Sequence, residues 1–295
     1  MKRSTRLIII ALIAAAVTMT AKCIYVILTA FRFPDYEISD ANPVTIELQR
    51  FNRIDIVTLQ PKPEMNLTPR IYKGVVIEES DSVTTPVMKT SLEWSRIITP
   101  EIKDSVLTLS FDFSVSYDSI NLPDGFFCII ESASPKPVKI CVPRRMVKEA
   151  STDQYNIYFD KFKGGSIKAD VCRTNTYIRD YEYKFHKRYP GWLMVNDGWL
   201  DTIVCKNPLE GLRLEKATVG EAHVPMGNIH LTVVSKQPGD SVNNLFITPA
   251  DGTFKSGELD LSKTNIGTLY IPPHDSTNFV LNLSIDQPVT IKEYR

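Results

Sequence analysis

Short runs of alternating apolar and polar residues recur along the chain, as in Ile54–Leu59, Val75–Ile77, Val106–Val115, Val138–Val142 and Leu259–Leu261. A period of two sends successive side chains to opposite faces of an extended strand, which is what a half-buried strand requires. Helical periodicity is scarce. Residues Pro61, Pro63, Pro86, Pro100, Pro123, Pro135 and Pro137 fall between the runs, where a missing amide hydrogen costs no ladder bond. The pattern predicts an all-β fold.

The exception is the N-terminus. Lys2, Arg3 and Arg6 precede a stretch from Leu7 to Phe31 whose single charge is Lys22. As a helix this stretch would reach roughly 37 Å, against a hydrocarbon core of about 30 Å. Three leading bases place its N-terminal side in the cytoplasm and the rest of the chain outside. The expectation is a transmembrane signal anchor over residues 7–31. Two alternatives also export the remainder: a cleaved signal peptide with Leu7–Val17 as its apolar stretch, and a lipoprotein attached at Cys23. Neither fits well: a cut after Ala21 leaves bulky Met19 three positions back, a cut after Ala16 meets the small-residue rule but leaves only Leu7 to Ile13 as apolar stretch, and bulky Lys22 precedes Cys23 where the lipoprotein signal has a small residue. The expected organisation is a stub and anchor over 1–31, an N-terminal β-rich segment over 32–135 and a repeating β region over 136–295.

The repeat lies in the last third. Leu212, Leu214, Lys216, Val219, Gly220, Val224 and Pro225 match Leu259, Leu261, Lys263, Ile266, Gly267, Ile271 and Pro272, each 47 residues on. Coils of a β-solenoid take roughly 20–25 residues, so this offset equals two coils, with strands near Ile229–Val234 and Leu245–Ile247 between. Stacking would then align Leu212 over Leu259, with the aliphatic residues as inward ladders and Gly220 and Gly267 at corners. The alternative is a β-sandwich with two similar strand–turn–strand units.

Charge narrows the function classes. The 34 Lys and Arg balance 34 Asp and Glu, and no global field draws nucleic acid or anionic lipid. Four of the bases and none of the acids fall in residues 1–31, so the remainder is mildly acidic. There is no nucleophile elbow, phosphate loop or dinucleotide fingerprint, and hence no nucleotide or other cofactor is expected. His186, His223, His230 and His274 lack metal-site spacing, so no metal is expected either. Asp112, Asp118 and Asp124 form the nearest acidic cluster and read as solvated strand and turn positions rather than a glycosidase pair.

Two sets of residues carry candidate chemistry. Between Tyr177 and Trp192 aromatic and basic residues interleave. On a strand Tyr181, Tyr183 and Phe185 share one face, and with Arg188, Tyr189 and Trp192 they make a candidate surface for a glycan or a protein of the envelope. Trp199 extends it. Half-buried packing explains the same alternation. The second set is Cys128 and Cys141. Phe126–Glu131 and Val138–Val142 flank a Pro-containing linker, and closing them as an antiparallel hairpin with Glu131 opposite Val138 brings the two cysteines face to face. A disulfide and two small buried thiols are both open to that pair.

Several of these stretches resemble one family. Phe51 to Ile56, Val75 to Glu79, Ile102 to Leu109 and Val138 to Pro143 are similar to strands of the head GIN domain family of autotransporter-adhesin-like proteins, a Bacteroidetes-type family of largely unknown function. Coverage is about residues 45–285. The family's Gly-Gly-Ser-Asp corner is represented by Gly164, Gly165 and Ser166, with Ile167 where Asp is expected. The resemblance implies an exported right-handed parallel β-helix and supplies no catalytic residues. The combined expectation is a membrane-anchored, extracytoplasmic β-solenoid that acts as a non-enzymatic adhesive or binding scaffold. A carbohydrate-active β-helix enzyme and an assembly partner of an envelope complex are the alternatives.

Overall fold

The computed structural model describes residues 17–24, 35–59, 67–69, 74–113, 128–132, 136–153, 155–176, 186–226, 230–250, 256–272 and 280–293. Of the expected anchor only α1, residues 17–24, falls within them. No helix among the described residues is long and apolar enough to cross a membrane.

Among the described residues the protein is all-β apart from α1 and one short helix. The first strands are β1 (Asp35–Ile38), β2 (Pro43–Glu47), β3 (Arg53–Thr58), β4 (Leu67–Pro69), β5 (Gly74–Ser80) and β6 (Val87–Ser91). Helix α2 (Leu92–Ile97) is followed by β7 (Ile98–Lys103), β8 (Val106–Phe111), β9 (Cys128–Ser132), β10 (Val138–Pro143), β11 (Glu149–Thr152), β12 (Asn156–Asp160) and β13 (Ser166–Thr176). The chain continues through β14 (His186–Pro190), β15 (Trp192–Cys205), β16 (Gly211–Met226), β17 (His230–Ser235), β18 (Ser241–Pro249) and β19 (Ser256–Lys263). It finishes with β20 (Asn265–Ile271), β21 (Val280–Ser284) and β22 (Thr290–Glu293). The alternating runs read from the sequence fall in β3, β5, β8, β10 and β19. Strand β9 pairs with β1 on one side and β4 on the other, and the other strands described form one 19-stranded sheet.

That sheet consists of two strips joined by strands that bend from one to the other. The first runs β2, β6, β10, β5, β12, β15, β16, β17, β19, β21. The second runs β7, β8, β3, β11, β13, β15, β16, β18, β20, β22. From β5 and β3 onward both strips are parallel, and from β15 the chain crosses to the other strip at each step. The strips run through residue 135, because β10 pairs with β5. The segments expected on either side of that position therefore share one sheet and one buried cluster.

Parallel pairing in register stacks identical side-chain positions. Val138, Val75, Ile157, Leu193, Leu212 and Val233 form one inward ladder in the first strip, and each is at most 1% exposed. Ile203, Ala222, Leu245 and Leu269 form another in the second. Helix α2 lies across the β2–β6 and β7–β8 end of this core. Ser91 caps it by accepting from Trp94 N at 3.3 Å. Buried Trp94 packs edge-on against Phe111 and Phe113 at 6.1 and 6.3 Å. Pro100, expected between strands, lies within β7. Among the described residues this strand pairs only with β8, so Pro100 costs no ladder bond to another described strand.

The 47-residue repeat corresponds to two steps of the second strip: Val219 pairs with Val242 and Val242 with Ile266. The first strip departs from it. Leu212 pairs with Val233, whereas Leu259 pairs with Leu231 and Leu283. The expected alignment of Leu212 over Leu259 is therefore displaced by two residues, because Leu259 stands opposite Leu231 while Leu212 stands opposite Val233; beyond Thr232 a register shift adds one further residue on β19.

Gly220 and Gly267 occupy equivalent places two steps apart. A Cβ on Gly220 would lie 2.5 Å from the Asp201 carbonyl oxygen, and one on Gly267 2.6 Å from that of Asn243. Close approach of the preceding backbone, rather than a left-handed conformation, excludes a side chain there. Left-handed geometry is required at the Gly164–Gly165 corner, where φ is 82° and 92°. Asp201 Oδ2 accepts from Gly165 N at 2.7 Å, so a carboxylate from β15 serves this corner. Gly220→Ala and Gly267→Ala are each expected to lower stability by about 1–3 kcal/mol through overpacking. Gly239→Ala, with nothing within 4 Å of its Cβ position, serves as the control in thermal unfolding.

Candidate binding face

The outward side of the first strip is built around glycines covered by aromatic rings. Trp192 opens β15 and pairs with Gly211 of β16. A Cβ on Gly211 would lie 2.3 to 2.5 Å from three carbons of the Trp192 benzene ring, so the indole lies flat on the glycine backbone. Its opposite face points away from the sheet. Asn156 fixes the start of the strand, its Oδ1 accepting from Trp192 N at 3.2 Å. In the same way the Tyr158 ring covers Gly74, with Cε2 at 2.3 Å from the Cβ position. Lys136 Nζ sits 4.6 Å from the Tyr158 ring centroid, which uses the other side of that ring.

Charged groups surround these rings. Glu78 Oε2 accepts from Lys139 Nζ at 2.8 Å and lies 3.3 Å from Lys161 Nζ. Burial raises the Glu78 pKa, but the two ammonium groups outweigh it and hold the carboxyl below its usual range. The same hydrogen bond holds the Lys139 ammonium above its ordinary value. Asp160 accepts from Asn196 Nδ2 at 2.6 Å and faces Lys136 at 3.8 Å. Burial pushes the Tyr158 phenol up, while Arg213 acts in the opposite direction. Arg213 Nε is buried without a hydrogen-bond partner.

A second ordered surface lies on the other strip. His223, Phe246 and Tyr270 stack in register, with centroids 4.3 Å apart at each step and ring planes within 8°. Lys292 Nζ follows at 5.9 Å from the Tyr270 ring. These rings spend their faces on one another, so the ladder stabilises the stack and presents only ring edges outward.

No family model matches the chain, and no curated protein does. Among solved structures it is similar to a candidate adhesin from Bacteroides fragilis, at 13% identity and a TM-score of 0.39 over 88% of this chain and 99% of that one. A candidate adhesin from Parabacteroides distasonis gives 12% and 0.36 over 88% and 100%. A candidate lipid-binding protein from the same species gives 12% and 0.36 over 88% and 99%.

The residues singled out in the sequence separate in space. Trp192 belongs to the face just described. Tyr181, Tyr183 and Phe185 lie outside the described residues. Arg188 and Tyr189 lie on β14, which pairs antiparallel with β13 opposite Thr174 and Arg173. Trp199 is 45% exposed and sits past the corner at Asp197 (φ 51°), beside Gly164. Among the described residues no three His, Cys, Asp or Glu converge as a metal site. Asp112 follows β8, its amide donating to the Ile97 carbonyl at 2.8 Å, and Asp118 and Asp124 are outside the described residues.

The cysteine hairpin is a correction. β9, which begins at Cys128, pairs in parallel with β1 and β4, while β10 pairs with β5 and β6. Cys141 lies beside Glu78 and Val87 as a free buried thiol, its pKa pushed up by burial. Burial likewise pushes the Cys205 thiol up to about 12. The residues missed by sequence reading are Tyr158, Gly74, Gly211 and the lysines around Glu78. Their signal is tertiary, because ring and glycine lie on different strands.

Proposed function

We propose that the chain is a non-enzymatic adhesive or binding scaffold whose binding face is the outward side of the first strip. The observation that carries this reading is the Trp192 indole, laid flat on Gly211 with one face turned away from the sheet. A flat ring on a rigid strand is a preorganised platform for the C–H face of a sugar. The neighbouring carboxylate argues for binding over glycoside cleavage. A general acid needs a raised pKa, whereas Lys139 and Lys161 hold Glu78 ionised.

The in-register parallel strips and their 47-residue repeat support a β-solenoid, right-handed in this reading as in the head GIN domain family it resembles. The apolar stretch 7–31 supports a membrane anchor that leaves the strips on the extracytoplasmic side of a bacterial envelope. A glycan or an envelope protein is the partner class. The test is a titration of the purified full chain against glycans bound on an array. Trp192→Ala is expected to weaken binding about 10-fold or more, while Phe246→Ala leaves it unchanged. Equal affinity of the wild type and Trp192→Ala for every bound glycan would overturn this face. Release of reducing ends from a bound glycan would overturn the non-enzymatic reading.

A further inference from the structure

We infer that the ligand of this face is an acidic polysaccharide lying along the strip, perpendicular to its strands. The inference rests on the binding-scaffold reading and names its substrate class. The outward column of the first strip passes in register through Lys89, Lys139, Val76, Tyr158, Met194 and Arg213, and ends beyond Val234 at Lys263. Val76 and Met194 are themselves buried, so what the column offers a ligand is its bases, Tyr158 and Val234. Every charged residue in it is basic, although the whole chain has equal numbers of acids and bases. At about 4.8 Å per strand the column is on the order of 34 Å long.

Two observations show that this arrangement is costly. Lys89 stands directly opposite Lys139 across an antiparallel pair, a placement in which like charges destabilise. Lys139 is held by Glu78, but Lys89 has no ion-pair partner among the described residues. Arg213 then buries its Nε with no acceptor. A ligand that carries anionic groups at intervals would offset the first, since Lys89 is exposed, whereas the buried Arg213 Nε has no exposed surface for a ligand to reach. The adjoining columns carry Glu78, Asp160 and Glu215 on one side and Asp260 on the other. Lys139 and Lys161 neutralise Glu78, Lys136 faces Asp160 and Ser262 donates to Asp260, while Glu215 is exposed to solvent.

The aromatic platform favours a sugar polymer. Trp192 is displaced from the basic column by two residues along β15, so a chain following the column passes beside its outward face. One sugar unit spans roughly one strand spacing, about 5 Å, so carboxylates on successive units can meet bases on successive or alternate strands. Attraction of this kind is electrostatic and weakens as salt screens it.

The experiment titrates the purified full chain with polygalacturonate, neutral dextran and double-stranded DNA at low and high salt. Polygalacturonate is expected to bind, with affinity falling at high salt, and dextran to bind at least 10-fold more weakly. The Lys89→Glu, Lys263→Glu double variant reverses charge at two exposed ends of the column and should weaken polygalacturonate binding 10-fold or more. Its circular dichroism and melting temperature should match the wild type, which separates charge loss from unfolding. Dextran binding as tightly as polygalacturonate in a Trp192-dependent manner would overturn the acidic ligand while leaving the scaffold reading in place. DNA binding at least as tightly would assign the column to a nucleic acid and overturn the inference. Polygalacturonate binding unchanged in the folded double variant would remove the column from the site. If none of these polymers binds while the array still yields Trp192-dependent ligands, the acidic polysaccharide alone is lost. A silent array as well would end both readings.

Discussion

A Leu261→Ala variant is expected to lose about 2–5 kcal/mol of stability, the range for truncating a buried leucine in a packed core. Leu261 is 1% exposed in β19 and belongs to the cluster that fills the space between the strips. Its neighbours collapse little into the vacated volume, because the parallel pairing of residues 258–260 with β17 and β21, and of Lys263 with β17, holds the backbone on either side of it. Lys263→Ala, two residues further along the same strand and exposed, should remain within about 0.5 kcal/mol of the wild type. Urea denaturation of the two variants decides the matter. Coincident midpoints would show that β19 does not face its leucines inward.

Asp240→Ala should cost nearly as much, about 2–4 kcal/mol, although no apolar contact is removed. Asp240 is 1% exposed. Its Oδ1 accepts from Ala217 N at 2.8 Å, and Oδ2 accepts from Gln237 N at 2.8 Å and Lys236 N at 3.0 Å. Lys236 N also reaches the Leu214 carbonyl, so it keeps a partner in the variant. The amides of Ala217 and Gln237 do not, and Ala217 is buried where water cannot substitute. The carboxylate ties the corner of β16 to the turn before β18. Asp240→Asn retains an acceptor oxygen and is expected to fall between alanine and the wild type. Chemical unfolding of the three proteins gives the order, and an alanine variant as stable as the wild type would show that the amides find other partners.

The two variants probe properties of different legibility. Leu259 and Leu261 declare themselves by alternation and by their match to Leu212 and Leu214, since every step of a strip imposes the same inward requirement. Gly220 and Gly267 are legible in the same way: a backbone approach repeated in each step excludes a side chain at the same place. Asp240 carries no such mark. Nothing local separates it from other turn aspartates, and its role exists only because Ala217 arrives beside it from 23 residues earlier.

Pairing partners were the least legible feature. Cys128 and Cys141 satisfy hairpin arithmetic, yet β9 and β10 join different sheets. A period of two says which face a residue takes, and it is silent about which strand lies alongside. Leu212 and Leu259 part for the same reason: Leu259 pairs with Leu231, two residues before the Val233 that pairs with Leu212, and a displacement by two leaves the alternation readable.

By itself, then, the sequence determined the all-β character, the faces of the main strands, the two-step repeat and the neutral overall charge, because each is a property of residue order or number. Only the tertiary structure decided that Trp192 lies on Gly211, that Tyr158 covers Gly74, and that Lys89, Lys139, Arg213 and Lys263 share one column. These residues are tens of positions apart in the chain. Parallel stacking brings them to neighbouring strands a few ångströms apart, and the chemistry of the face comes from that juxtaposition rather than from any local motif.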